Sequence, residues 1–143
     1  MTHSKYDGIY KKGDEQSEEE ISAYLGYRWR CEMVKQGHYD KFDYIAKRND
    51  KISAFVEIRC RSHPYGKFPD CFVSLTKKIR ADELTRATGL MCFFVVAWED
   101  QIGYVNLDQH FDLTRSGKKW SRRDNPEISE LLCKIPIESF VKL

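Results

Sequence analysis

Residues 42–61 read FDYIAKRNDKISAFVEIRCR, and the alternation in this stretch decides the fold class. Residues 42–47 and 52–61 are rich in β-branched and aromatic side chains, while Arg48-Asn49-Asp50-Lys51 between them is short and polar. Two such runs joined so tightly predict an antiparallel hairpin. Successive strand side chains point to opposite faces. Ile52, Ala54, Val56, Ile58 and Cys60 therefore share one face of the second strand, and Phe55, Glu57, Arg59 and Arg61 share the other.

Upstream of the hairpin, Ser17-Glu18-Glu19-Glu20 fits a capping box, and residues 18–36 are expected to be helical. Tyr24, Tyr27, Cys31 and Val34 form its apolar stripe, and Gly37 is its stop signal. Downstream, residues 62–70 contain Pro64, Gly66 and Pro69 and read as a loop. Residues 71–75 are short and apolar, a candidate third strand. Residues 76–88 read as a second helix ended by Gly89. Residues 90–98, LMCFFVVAW, are apolar on both faces, which predicts a fully buried strand in the middle of a sheet. A further strand covers residues 102–107, and residues 108–127 read as loop. Residues 131–137 form the last strand, at an edge because of Pro136. The expected architecture is α/β, a central mixed sheet flanked by two helices. Residues 1–16 are expected to be a loose arm and residues 17–143 a single domain.

The chain has 143 residues, 41% hydrophobic and 32% charged, which is ordinary for one globular domain. A net charge of +2 neither demands nor excludes a nucleic-acid partner. The five cysteines are odd in number and lack a Cys-x-x-Cys pair, so neither a zinc site nor a disulfide framework is indicated. A reducing, cytoplasmic location is expected. The first twenty residues hold no apolar core of a signal peptide, and residues 90–98 are too short to span a bilayer.

Asp43 and Glu57 lie on neighbouring strands of the expected hairpin and are candidate ligands of a divalent cation. Magnesium prefers oxygen ligands and takes one or two carboxylates from a protein while keeping several waters. Such an ion activates water and neutralises the charge that builds as a phosphodiester is cleaved. A nearby cation also stabilises that charge, and Arg59 shares the face of Glu57. Further along, Arg115, Lys118, Lys119, Arg122 and Arg123 surround Trp120. Basic residues beside an aromatic ring suit phosphate contact and base stacking; the same run also fits a solvated loop. Arg61, Lys118, Lys119, Trp120, Arg122 and Arg123 are the candidate nucleic-acid contacts. His63, in the Pro/Gly loop, either touches substrate or is simply solvated.

The run FDYIAKRNDKISAFVEIRCR resembles the Asp…Glu-x-Lys hairpin of PD-(D/E)XK nucleases, the restriction-endonuclease-like fold. The resemblance is strongest to small phage-encoded proteins of this kind. It continues through FPDCFVSLTK, the helix ending in ATGL, the strand FFVVAW and the tail SRRDNPEISELLCKIPIESF. It implies a metal-dependent DNA nuclease using magnesium or manganese (Mg2+ or Mn2+), with Asp43, Glu57 and the carbonyl of Ile58 as ligands. A glutamate of the first helix, Glu20 or Glu19, is the implied assistant. A homodimer is the assembly common among branched-DNA enzymes of this fold. The sequence departs from the pattern at Arg59, where the family carries a catalytic lysine. Arginine stays protonated and cannot act as a lysine-like base, so the resemblance shifts that cation's role toward Lys77. Phe42 stands where the motif has proline. The literal Pro69-Asp70 follows the Glu-x-Arg instead of preceding it. The alternative is a catalytically inactive, nuclease-like phage factor that binds nucleic acid or a protein partner, with Arg59 filling the metal position.

Overall fold

The computed structural model describes residues 14–37, 42–116 and 130–143. The hairpin forms as expected: β2 (Tyr44–Arg48) pairs antiparallel with β3 (Lys51–Cys60), with Tyr44 opposite Val56. Asn49 and Asp50 both adopt positive φ, 49° and 65°. That is the two-residue turn whose twist matches its flanking strands, and Asn and Asp tolerate it best after glycine. β5 (Met91–Ala97) lies against β3 in parallel, and β6 (Ile102–Asn106) pairs antiparallel with β5.

Helix α1 (Asp14–Trp29) starts earlier and ends earlier than the sequence suggests, so Ser17 lies inside the helix and not at its start. It closes on Arg30 in the left-handed region (φ 52°), with Cys31 N–H donating to Gly26 O at 3.0 Å. This return to a carbonyl five residues back is the Schellman closure, built here on an arginine instead of a glycine. A Cβ on Gly26 would meet Cys31 O at 3.0 Å, so the glycine clears the chain's return. The residues beyond form β1 (Glu32–Lys35), an added strand on β2 where the sequence suggests more helix. Ile21 and Leu25 are the buried apolar residues of α1 among those described, whereas Tyr27 of the expected apolar stripe is 70% exposed.

Among the described residues, β1-β2-β3-β5-β6-β9 form a mixed six-stranded sheet, with β9 at Val141–Lys142. β5 sits inside it, and its two faces feed two cores. Cys92, Phe94, Val96 and Trp98 pack on one side; Val95 and Ala97 pack with Ile21 and Leu25 of α1 on the other. Double burial explains the unbroken apolar run, and each fully buried aliphatic or aromatic side chain contributes roughly 1.5–3 kcal/mol.

The first core is closed by α2 (Leu75–Thr88) and a second sheet, β4 (Asp70–Ser74), β8 (Leu131–Pro136) and β7 (Asp112–Arg115), in the order β4-β8-β7. Residues 112–115, expected as loop, are therefore a strand, and β8 is the middle strand, not an edge. Pro136 is tolerated because β7 pairs only as far as Lys134, so at Pro136 a single neighbour, Asp70, remains. Ser74 caps α2, its Oγ accepting from Lys77 N–H at 3.1 Å. Gly89 ends it at φ 74° and donates to Thr85 O at 2.8 Å. No helix among the described residues is long and apolar enough to cross a membrane.

Candidate active site

Carrying the β2–β3 register one residue past Tyr44–Val56 sets Asp43 opposite Glu57. Glu57 lies in the interior of β3 between β2 and β5, level with Phe94, and is 1% exposed. A carboxylate so placed must be paired or neutral. Its Oε2 accepts from Arg59 Nη2. Its Oε1 is buried without a hydrogen bond and has Lys77 Nζ as its ionic neighbour at 3.2 Å.

Arg59 leaves β3 on the same face and folds back over the pair. Its Nη1 lies 3.3 Å from Asp43 Oδ2 and donates to Ile58 O at 2.9 Å. Asp43 Oδ2 also accepts from Ile58 N–H at 3.3 Å, which fixes the carboxylate against β3. Three oxygens, from Asp43, Glu57 and the Ile58 carbonyl, thus converge on a single guanidinium. Two carboxylates and a carbonyl are hard oxygen donors of the type that magnesium and manganese take, so this oxygen set fits such an ion. Among the described residues no group of three or more His, Cys, Asp and Glu side chains is placed to hold a metal. Here the third oxygen belongs to the main chain.

Lys77 stands on the first turn of α2, where a cation opposes the helix dipole. Glu57 offsets that cost, as does the Phe42 ring, 4.8 Å from Nζ at its centroid. Phe42 in turn packs on Phe55, ring centroids 6.2 Å apart, so Phe42 forms an apolar wall where the motif's proline would stand.

Burial pushes the Glu57 carboxyl above its ordinary value; Asp43 adds to the rise, and Arg59 and Lys77 oppose it. Glu18 is also raised, first by burial and then by the charge of Asp43, with Arg59 and Lys35 opposing. The field at Glu18 therefore comes from the site itself. The sequence points to Glu20 or Glu19 instead. Glu20 lies about 200° round the helix from Glu18, whereas Glu18 stands three and seven residues before the buried Ile21 and Leu25. The stripe Glu18-Ile21-Leu25 is the signal that could have found it.

Arg61 follows on the same face. Its N–H donates to Ala97 O at 2.9 Å and its Nη1 to Cys60 O at 3.2 Å, and its side chain lines a separate cavity. Asp70 of the literal Pro-Asp pair is on β4, lining that cavity. Arg115 ends β7; Lys118, Lys119, Trp120, Arg122 and Arg123 lie outside the described residues.

No curated protein matches the chain. Among solved structures it is similar to Hjc of Archaeoglobus fulgidus, a Holliday junction resolvase from an archaeal hyperthermophile. That match covers 88% of each chain with a TM-score of 0.58 at 10% identity, a likeness of fold. Residues 2–143 match a family described as "Phage putative PDDEXK endonuclease". The Asp43–Glu57 hairpin, the mixed sheet between two helices and a family match across nearly the whole chain agree, and the protein belongs to this phage PDDEXK endonuclease family.

Proposed function

We propose that the protein is a magnesium- or manganese-dependent nuclease that hydrolyses DNA phosphodiesters. The observation that carries this reading is the convergence of Asp43, Glu57 and the Ile58 carbonyl on one cation position. In the reading, those three groups hold the ion, and Glu18 supplies a further carboxylate from α1. The bound ion would activate water and neutralise charge on the phosphate. Arg59, released from the oxygens, turns its fork to a phosphate oxygen, a geometry guanidinium suits. Because arginine does not deprotonate, the acid–base part of the family lysine's role toward the attacking water falls to Lys77, held between Glu57 and Phe42. The resolvase neighbour supports DNA as the substrate class, and five cysteines outside any disulfide accord with a cytoplasmic site of action.

A second reading rests on the same guanidinium. Arg59 satisfies all three oxygens at once, as a permanent counter-cation would in a protein that binds DNA or a protein partner without cleaving it. Calorimetric manganese titration, combined with cleavage assays on single-stranded, duplex and branched DNA, divides the two. Binding that is lost in Asp43→Ala and Glu57→Ala, accompanied by cleavage, supports the nuclease. No binding at millimolar manganese and no cleavage of any DNA form sinks it. The mass in solution tests the homodimer suggested by the resemblance.

A further inference from the structure

We propose that the cavity at the carboxyl-terminal ends of β3 and β5 is a nucleobase pocket that takes an unpaired base beside the phosphate bound at Arg59. The proposal rests on the nuclease reading and deepens it by naming the substrate form. The cavity measures about 470 Å3, and Arg61, His63, Phe68, Asp70, Trp98 and Ile137 are among its walls. That volume falls within the roughly 300–1,000 Å3 usual for small-molecule sites.

Its position ties it to the site. β3 and β5 run parallel with Cys60 opposite Ala97, so their ends coincide, and Arg61 N–H donates to Ala97 O. Arg61 is two residues beyond Arg59 on the same face, about 7 Å along a strand. A nucleotide adjoining the phosphate at Arg59 therefore lies within reach of the cavity mouth.

The walls are held from several directions. Ile137 N–H donates to Pro69 O at 2.9 Å, Glu99 N–H to His63 O at 3.1 Å, and Tyr65 N–H to Asp100 Oδ1 at 2.8 Å. Tyr65 stands edge-on to Trp98, centroids 5.1 Å apart, and His63 edge-on to Phe68 at 4.9 Å. Phe68 lines the cavity and remains 50% exposed in this pinned loop instead of packed in a core. An aromatic platform beside a basic groove is the arrangement that stacks bases while tracking the backbone. Lys67, with Nζ 5.6 Å from the Phe68 centroid, adds positive charge at this rim. Arg61 offers donors and Asp70 an acceptor for the polar edge of a base. A base stacked and paired in duplex cannot enter, so the occupant is single-stranded or flipped out.

The test is fluorescence anisotropy with a labelled oligothymidylate, a base-free (abasic) sugar-phosphate strand of equal length and a hairpin duplex. All measurements are made in chelator, so that cleavage does not enter. The oligothymidylate should bind more tightly than the abasic strand. Phe68→Ala should weaken the oligothymidylate about tenfold, leave the abasic strand and the duplex unchanged, and be rescued by Phe68→Tyr. Equal losses for thymidylate and abasic strands, or no loss for either, overturn the proposal. Far-ultraviolet circular dichroism of Phe68→Ala matching the unmodified protein ties the loss to the ring. Stacking in this assay, with no cleavage in the separate manganese assays, would sink the nuclease reading and leave the pocket standing; cleavage in those assays, with no preference here for the oligothymidylate over the abasic strand, would do the reverse.

Discussion

Glu57 is an ionisable group buried in the sheet interior, with Arg59 and Lys77 as its ionic partners. With its folded pKa above the ordinary value near 4.5, its contribution to stability is fully present below that value and is lost as pH rises through the folded pKa. At neutral pH the ionised form therefore burdens the fold. In metal-free buffer Glu57→Gln should melt at higher temperature than the unmodified protein at neutral pH, with the gap closing in acid; an unchanged or lowered melting point at neutral pH would contradict this. The same substitution should abolish manganese binding. Arg59 and Lys77 divide the remaining electrostatic work. Lys77→Ala should cut the cleavage rate by roughly 10²–10⁴-fold, as losing an acid–base group does, while leaving manganese binding nearly intact. Arg59→Lys should retain or raise activity. A Lys77→Ala enzyme with undiminished kcat would remove Lys77 from the mechanism. Asp43 and Glu57 were legible in the sequence because strand alternation and a tight turn determine which residues face each other. Glu18 was not legible, because three consecutive glutamates look alike until the buried stripe of α1 is known.

Elements were legible where one signal dominated. The hairpin had its turn residues, β5 had apolar side chains on both faces, and α2 had Gly89 at its end. The end of α1 had no such marker: Arg30 takes a conformation normally left to glycine, and Glu32-Met33-Val34-Lys35 contains residues at home in a helix. β7 went unread because it is a largely exposed edge strand recruited by tertiary pairing with β8. α2 carries Lys77 on its first turn, so under the nuclease reading its cap bears on both stability and chemistry. Ser74→Ala removes the acceptor of Lys77 N–H and should cost ~1 kcal/mol, read as a lower denaturation midpoint at unchanged slope. Cleavage should fall further than the smaller folded fraction accounts for, because Lys77 loses its anchor. A variant that loses stability but keeps full specific activity would separate the cap from the site.

Across the whole molecule, a net charge of +2 supplies little general attraction for DNA, so the proposed DNA binding rests on local clusters. If the basic run at residues 115–123 tracks phosphates, Arg122→Ala with Arg123→Ala should flatten the salt dependence of duplex binding, by about 0.9 in slope for each phosphate no longer neutralised. An unchanged slope would show that the run is plain solvated surface. The second sheet was the largest feature hidden from the sequence, since its strands are far apart along the chain and each is short. Its middle strand, β8, has a consequence for the order of events during synthesis. Residues 70–74 leave the ribosome long before residues 131–136, yet β4 and β7 meet only through β8. Until that late segment emerges, one face of the large sheet, with Phe94, Val96 and Trp98 upon it, lacks part of its cover. Such distant pairing slows folding and lengthens the time a nascent chain is open to aggregation. The wall that Ile137 gives to the base cavity arrives at the same moment, so the cavity cannot be complete on a nascent chain that has not yet reached residue 137.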